Sequence, residues 1–282
     1  MLQKLKDLIR KYRQKRQEEK EYASFLQKTN TDLQDVINNI ARPKKAVLRI
    51  LCTSDALNKQ LEGLDGNADY MVVNSFVTHE AYAKLRPKYY VLADPNFFNL
   101  LSHIVDKIYD DTKWPLTLFV PWAETNQKQL SLLNDSITLK QVNANAYVGP
   151  EQYRIDSYEH NLAMPMVYNV LNMALYIAIY LGYQRVELYG AEHSWTRLIY
   201  VGEDNRLYWK DSHFYDKEPV PDTALKHADG SNIKMHEIMY EYYRVFKCYW
   251  ELRELADRHH CHIVNMTPNS FIDAFERGTN NK

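Results

Sequence analysis

The chain has 282 residues and a formal net charge of −1, so no global field selects nucleic acid as a partner. Its 45% hydrophobic and 25% charged residues are ordinary for a globular protein, and only 8 glycines argue against a repeat-rich one. No apolar run reaches membrane-spanning length, no secretion signal is legible, and three scattered cysteines fit a reducing, cytoplasmic setting.

Residues 1–20 carry eight Lys or Arg against three acids. Leu2, Leu5, Ile9 and Tyr12 recur at helical spacing, which predicts an amphipathic helix with basic flanks. Such a helix can lie on an anionic membrane surface, as a peripheral contact on the inner face of the plasma membrane. It can equally pack on the domain or join copies into a homo-oligomer. The helical pattern runs to about residue 40, and Pro43 closes it. The expected division is a helical extension over 1–44 and a globular domain over 45–282.

Within that domain, buried strands are predicted at 46–52, 70–73, 89–93, 116–120, 137–139, 186–189 and 262–265. Helices are predicted through residue 61 and at 126–133, 163–181 and 234–258. Strands alternating with helices predict an α/β fold: a mainly parallel, Rossmann-like sheet with helices on both faces. The segment 195–232 is too long for an ordinary connection and carries Tyr200, Tyr208, Trp209, His213, Phe214 and Tyr215, which predicts a lid. The 22 tyrosines suit sugar and nucleotide contacts, or reflect composition bias alone.

Ligands of such sheets bind outside the carboxyl ends of the strands. The residues delivered there are the candidates. Thr53 and Ser54 follow the first strand and can offer hydroxyls to a phosphate, or serve as a plain helix cap. Asn74 ends the second strand as a ligand contact or a turn residue. Asp94 and Asn96 follow the third. Glu192 and Ser194 follow the strand at 186–189, and Asn269 and Ser270 follow the last. His236 opens the helix at 234–258, either as a partly exposed residue of a first turn or as a group for acid–base work. His259, His260, Cys261 and His262 straddle a helix end and a strand, so their side chains diverge and no metal site is expected. No Asp-x-Asp pair, the usual carboxylate pair for holding Mg²⁺ or Mn²⁺ on a nucleotide diphosphate, occurs in the chain, so no metal cofactor is expected.

The order and wording of these segments resemble the single-domain bacterial sialyltransferases that decorate lipooligosaccharides. The matching stretches are 72–76 (VVNSF), 94–98 (DPNFF), 168–194, 235–237 (MHE) and 267–271 (TPNSF). The resemblance implies an inverting, metal-independent glycosyltransferase. It would move sialic acid or a related sugar from a nucleotide-sugar donor to a surface glycan or glycolipid acceptor. It implies His236 as general base, Tyr200 as a donor to the leaving phosphate, and Glu192 at the family's acidic position. It places Thr53, Ser54, Asn74, Ser194, Asn269 and Ser270 around the nucleotide, and Asp94 and Asn96 near the acceptor or donor sugar. At 52–57 (CTSDAL) the chain departs from the family's glycine-rich turn, which leaves a UDP-linked donor open beside a CMP-linked one. A non-catalytic nucleotide- or glycan-binding protein is the alternative of another class.

Overall fold

The computed structural model describes residues 2–28, 40, 43–54, 56–64, 66–121, 134–142, 144–210, 222–227 and 229–278. Its centre is an eight-stranded sheet. The strands are β1 (Val47–Leu51), β2 (Asp69–Val73), β3 (Tyr89–Val91), β4 (Leu116–Pro121), β5 (Ile137–Val142) and β6 (Arg185–Tyr189), then β10 (His262–Asn265) and β11 (Glu276–Arg277). Their order is β11-β10-β6-β1-β2-β3-β4-β5, and every pairing is parallel. The strand order reverses beside β1. The chain steps outward to β5, then returns to place β6 on the other flank. The crevice between β1 and β6 is therefore the topological switch point.

Strands buried on both faces read as nearly continuous apolar runs, as VLRIL and DYMVV do here. Alternate residues feed two cores. Leu48, Ile50, Met71 and Val73 join one, while Leu51, Tyr70 and Val72 join the other. Much of the tyrosine content is spent here: Tyr82, Tyr89, Tyr90, Tyr176, Tyr183 and Tyr249 are among the largest fully buried side chains. One charged group interrupts the pattern. Arg49 pairs in register with Glu187, its Nε 3.0 Å from the carboxylate. Arg185 donates to the same carboxylate at 2.8 Å, and the Tyr189 hydroxyl at 3.1 Å. Burial alone would raise the Glu187 carboxyl; these donors outweigh it and hold it below its ordinary value.

The first core is covered by α5 (Arg154–Glu159), α6 (Val170–Tyr180) and α7 (Met235–Arg258). Every residue from Leu171 to Ile179 is buried, so α6 is apolar all round, as a central helix must be. Truncating a core residue such as Leu175 to Ala would cost about 2–5 kcal/mol. The helix begins at residue 170 and not near 163. Pro165 lies in the expected first turn, and Asn169 supplies a capping box with Asn172. It ends at Gly182, whose φ of 81° takes the left-handed turn into β6. The second core is covered by short helices, α2 (Ala56–Gln60), α3 (Ala81–Leu85) and α4 (Ser102–Asp111). The expected helix at 126–133 lies outside the described residues.

The long segment before α7 contains a small antiparallel sheet of β7 (Ile199–Val201), β8 (Leu207–Trp209) and β9 (Thr223–Ala224). Residues 211–221, with His213, Phe214 and Tyr215, lie outside the description. The amino-terminal helix α1 spans Leu2–Lys28. Its last turns dock on the domain: the Tyr22 ring stacks on Tyr153 with centroids 4.5 Å apart, and Phe25 meets the edge of Tyr147 at 5.2 Å. Leu8, Ile9 and Tyr12 on its earlier turns are exposed. No helix among the described residues is long and apolar enough to cross a membrane.

Candidate functional site

A cavity of about 530 Å³ opens at the switch point, within the size range of small-molecule sites. The carboxyl ends of β1, β2, β3 and β6 form its floor. The segment leading into α6 and residues of the segment from Ser194 to Trp209 form its walls. The loop after β6 is the most constrained part. Gly190 adopts a φ of 66°, and a Cβ there would stand 2.8 Å from the Cys52 carbonyl oxygen. Its N–H donates to Gln60 Oε1 at 3.0 Å, and Gln60 Nε2 donates on to the Met266 carbonyl at 2.7 Å. Thr267 accepts the Ala191 N–H at 3.0 Å, and Ser270 Oγ donates to the Ala191 carbonyl at 2.6 Å. The Phe271 N–H reaches the Glu192 carbonyl at 2.8 Å.

Six of the eleven expected site residues line the cavity: Thr53, Ser54, Asn74, Asp94, Glu192 and Ser194. The Ser54 hydroxyl is buried with no hydrogen-bond partner among the described residues. Asn74 sits at a φ of 51°, held through its carbonyl by the buried Tyr90 hydroxyl. Asp94 is exposed at the rim and caps the next turn by accepting the Asn96 N–H at 2.8 Å. The Cys52 thiol also lines the cavity, but burial pushes it up to about 12, which leaves no thiolate for nucleophilic work.

Five expected residues stand outside the lining. Asn96 is exposed beyond Asp94. Asn269 is an exposed turn residue with a φ of 55°, and the buried Ser270 serves the loop after β6 as described. Tyr200 lies on β7, stacked on Tyr208 at 5.5 Å, with its hydroxyl donating to Asp222 at 2.6 Å. That bond to the carboxylate is the main cause pushing the Tyr200 phenol up to about 12. His236 is exposed on the first turn of α7, between Met235 and Glu237.

The structure adds Tyr168, Asn169, His193 and Trp195, to which the sequence assigned no site role, and Trp209, which it marked only as one aromatic of the segment 195–232; all five line the cavity. His193 has a left-handed φ of 49°, a strained conformation that costs on the order of 1–3 kcal/mol and persists only where its surroundings fix it. Its ring stacks on Trp195 with centroids 4.2 Å apart. Its Nδ1 lies 3.0 Å from the Tyr249 hydroxyl on α7. Burial pushes the imidazole down to about 3, so it is neutral near pH 7. Trp195 stacks in turn on Tyr242 at 5.7 Å. The Arg244 guanidinium, also on α7, lies over the Tyr168 ring at 4.3 Å. The described lining thus joins neutral donors, an aromatic wall and two carboxylates, with no lysine or arginine. Among the described residues, no group of three His, Cys, Asp or Glu could hold a metal ion.

No family profile and no curated protein sequence matches the chain. Solved structures do show a likeness. The sialyltransferase CstII from Campylobacter jejuni, in complex with the substrate analogue CMP-3FNeuAc, is 14% identical with a TM-score of 0.46, over 83% of this chain and 87% of that one. The sialyltransferase CST-II with trisaccharide acceptor and CMP gives 13% and 0.45, over 82% and 85%. The MAf glycosyltransferase from Magnetospirillum magneticum AMB-1 gives 12% and 0.47, over 85% of this chain but 34% of that one, so this chain spans about a third of its length. All three are glycosyltransferases. A likeness at this level concerns the fold and carries no chemistry with it.

Proposed function

We propose that this chain is a glycosyltransferase that takes a nucleotide sugar into the switch-point cavity and passes the sugar, with inversion, to a glycan acceptor. The observation that carries this reading is the composition of the cavity. Thr53, Ser54, Asn74 and Ser194 offer neutral donors where a phosphate would sit at the strand ends. Tyr168, Trp195 and Trp209 offer flat faces to a base or sugar. Glu192 supplies a carboxylate that can take the proton of an acceptor hydroxyl as it attacks the anomeric carbon. The collinear resemblance read from the sequence supports the same reaction class.

The donor we favour is CMP-linked. A nucleoside monophosphate brings less charge into a cavity whose described lining has two carboxylates and no cation. We assign Glu192 as the base, and His236 remains the residue to which the sequence resemblance gives that role. The sugar is sialic acid or a relative, and the transfer proceeds without a metal. Residues 45–282 form the catalytic domain and 195–232 its lid.

The direct test is a thermal-shift and calorimetric screen with CMP, UDP, GDP and their sugar conjugates. A ligand that binds only the folded protein raises its melting temperature. Stabilisation by CMP or a CMP-sugar is expected. Stabilisation by UDP instead would move the donor assignment, and the absence of any nucleotide effect would overturn the reading.

A further inference from the structure

We propose that His193 donates a hydrogen bond from Nε2 to the phosphate oxygen that leaves with the nucleotide, oriented by a relay that starts at the cap of α6. The proposal rests on the glycosyltransferase reading of the cavity; the relay stands on the structure alone.

The direction of each hydrogen bond follows from the one before it. The Asn172 backbone N–H donates to Asn169 Oδ1 at 3.1 Å, and a backbone N–H can only donate. This fixes the Asn169 amide, so its Nδ2 is the atom 2.9 Å from the Tyr249 hydroxyl oxygen. The phenol accepts from Nδ2 and keeps one proton of its own. Two acceptors face that proton: Asn169 Oδ1 at 3.3 Å, which also accepts from Asn172, and His193 Nδ1 at 3.0 Å. His193 Nδ1 is the nearer, and we assign the proton's hydrogen bond to it. A neutral imidazole that accepts at Nδ1 carries its proton on Nε2. Nε2 has no hydrogen-bond partner among the described residues, and the ring lines the cavity.

Two features keep the ring from other roles. Its plane is set by the stack on Trp195 and by the left-handed backbone of a loop clamped by Thr267 and Ser270. Charging it would put a second proton at Nδ1, where the Tyr249 proton already stands. The ring is therefore built to give a hydrogen bond and to keep its proton. In the transfer, the bond between the anomeric carbon and the phosphate oxygen breaks, and the electron pair goes to that oxygen. The acceptor oxygen forms the new bond, and its proton passes to Glu192. His193 Nε2–H and the unpartnered Ser54 hydroxyl meet the charge that develops on the phosphate, where neutral, fixed donors are most effective. Asp94 and Glu192 are the charged side chains that share the described lining. Tyr249 and Asn169 act as positioning residues.

The test uses the full chain with ¹⁵N-labelled histidine, with the His193 signals assigned by their loss in His193→Gln. The expected ground state is the Nε2–H tautomer, and Tyr249→Phe, which removes the phenol proton but keeps the ring packing, should shift it toward a mixture. CMP should move the Nε2–H resonance. His193→Gln, whose amide N–H can stand in for Nε2–H, should hold CMP within about threefold of the parent, while His193→Ala should bind about tenfold or more weakly. An Nδ1–H tautomer in the parent protein would overturn the relay. An Nε2–H ring whose signals stay still while calorimetry shows CMP or UDP bound would overturn the donor role alone. The expected tautomer with no nucleotide binding at all would overturn the glycosyltransferase reading and the donor role, and leave the relay intact.

Discussion

Gly190 and Cys52 meet backbone to backbone at the switch point, leaving no room for a side chain between β1 and β6. A Cβ on Gly190 would stand 2.8 Å from the Cys52 carbonyl oxygen and 3.0 Å from Leu57 Cβ, on a backbone at φ 66°. Gly190→Ala is expected to destabilise by about 2 kcal/mol or more, because contact and conformation both oppose it. Chemical denaturation measures the loss. Parent-like stability would mean that the loop sits farther from β1 than described.

The base is tested by paired substitutions. Glu192→Gln is expected to lower turnover by about 10²–10⁴-fold with nucleotide affinity little changed. His236→Ala, on an exposed first turn outside the cavity lining, is expected to keep near-normal turnover. The reverse result would restore the role that the sequence resemblance gives His236, and would require the lid to carry it to the acceptor.

The Arg49–Glu187–Arg185 cluster sets an acid limit on stability. Because the folded carboxyl lies below its ordinary value of 4.5, its contribution is present above that pH and lost as pH falls through the lower folded value. Glu187→Gln is expected to cost about 3 kcal/mol at pH 7, since it leaves two arginines beside a neutral amide at a part-buried site. The gap between variant and parent should narrow below about pH 4.5 in denaturation curves. A gap that stays constant down to pH 3 would remove the cluster from the account.

The amino-terminal helix has two parts with separate tests. Deleting residues 1–20 should leave melting unchanged and weaken sedimentation with anionic vesicles, if the basic turns contact a membrane surface. Tyr22→Ala with Phe25→Ala should instead lower stability, since both rings pack against the domain, Tyr22 stacked on Tyr153 and Phe25 against the edge of Tyr147. Unchanged vesicle binding with a loss of oligomeric state on deletion would assign the basic turns to subunit assembly.

The sheet was legible in the sequence because doubly buried strands leave dense apolar runs such as VLRIL. The start of α6 was misread because Met164, Met166 and Val167 extend the apolar pattern into a segment that Pro165 keeps out of the helix. Strands β7, β8 and β9 carry too few buried positions for an alternating pattern to stand out. Six cavity residues were found by one rule, that ligands gather at strand carboxyl ends. The same rule would have found His193, directly after Glu192. What no local pattern could supply was its partner, since Tyr249 lies 56 residues after His193, and Asn169, which holds Tyr249, lies 80 residues before Tyr249 on the other side of His193. The segment 267–271 was correctly placed at the sheet edge. Its hydroxyls turn inward onto the loop after β6, a direction that backbone pairing decides and sequence does not display.

The two margins of the large sheet bear on how copies of this chain can associate. One ends in β11, a two-residue strand of Glu276 and Arg277, both exposed. The other is β5, which carries Thr138, Lys140 and Gln141 along ITLKQV. A short charged margin and a lysine-bearing one both discourage the addition of a further strand. Self-association by extending the sheet is thus disfavoured at both ends, and copies that do associate are expected to meet through surfaces other than these two margins.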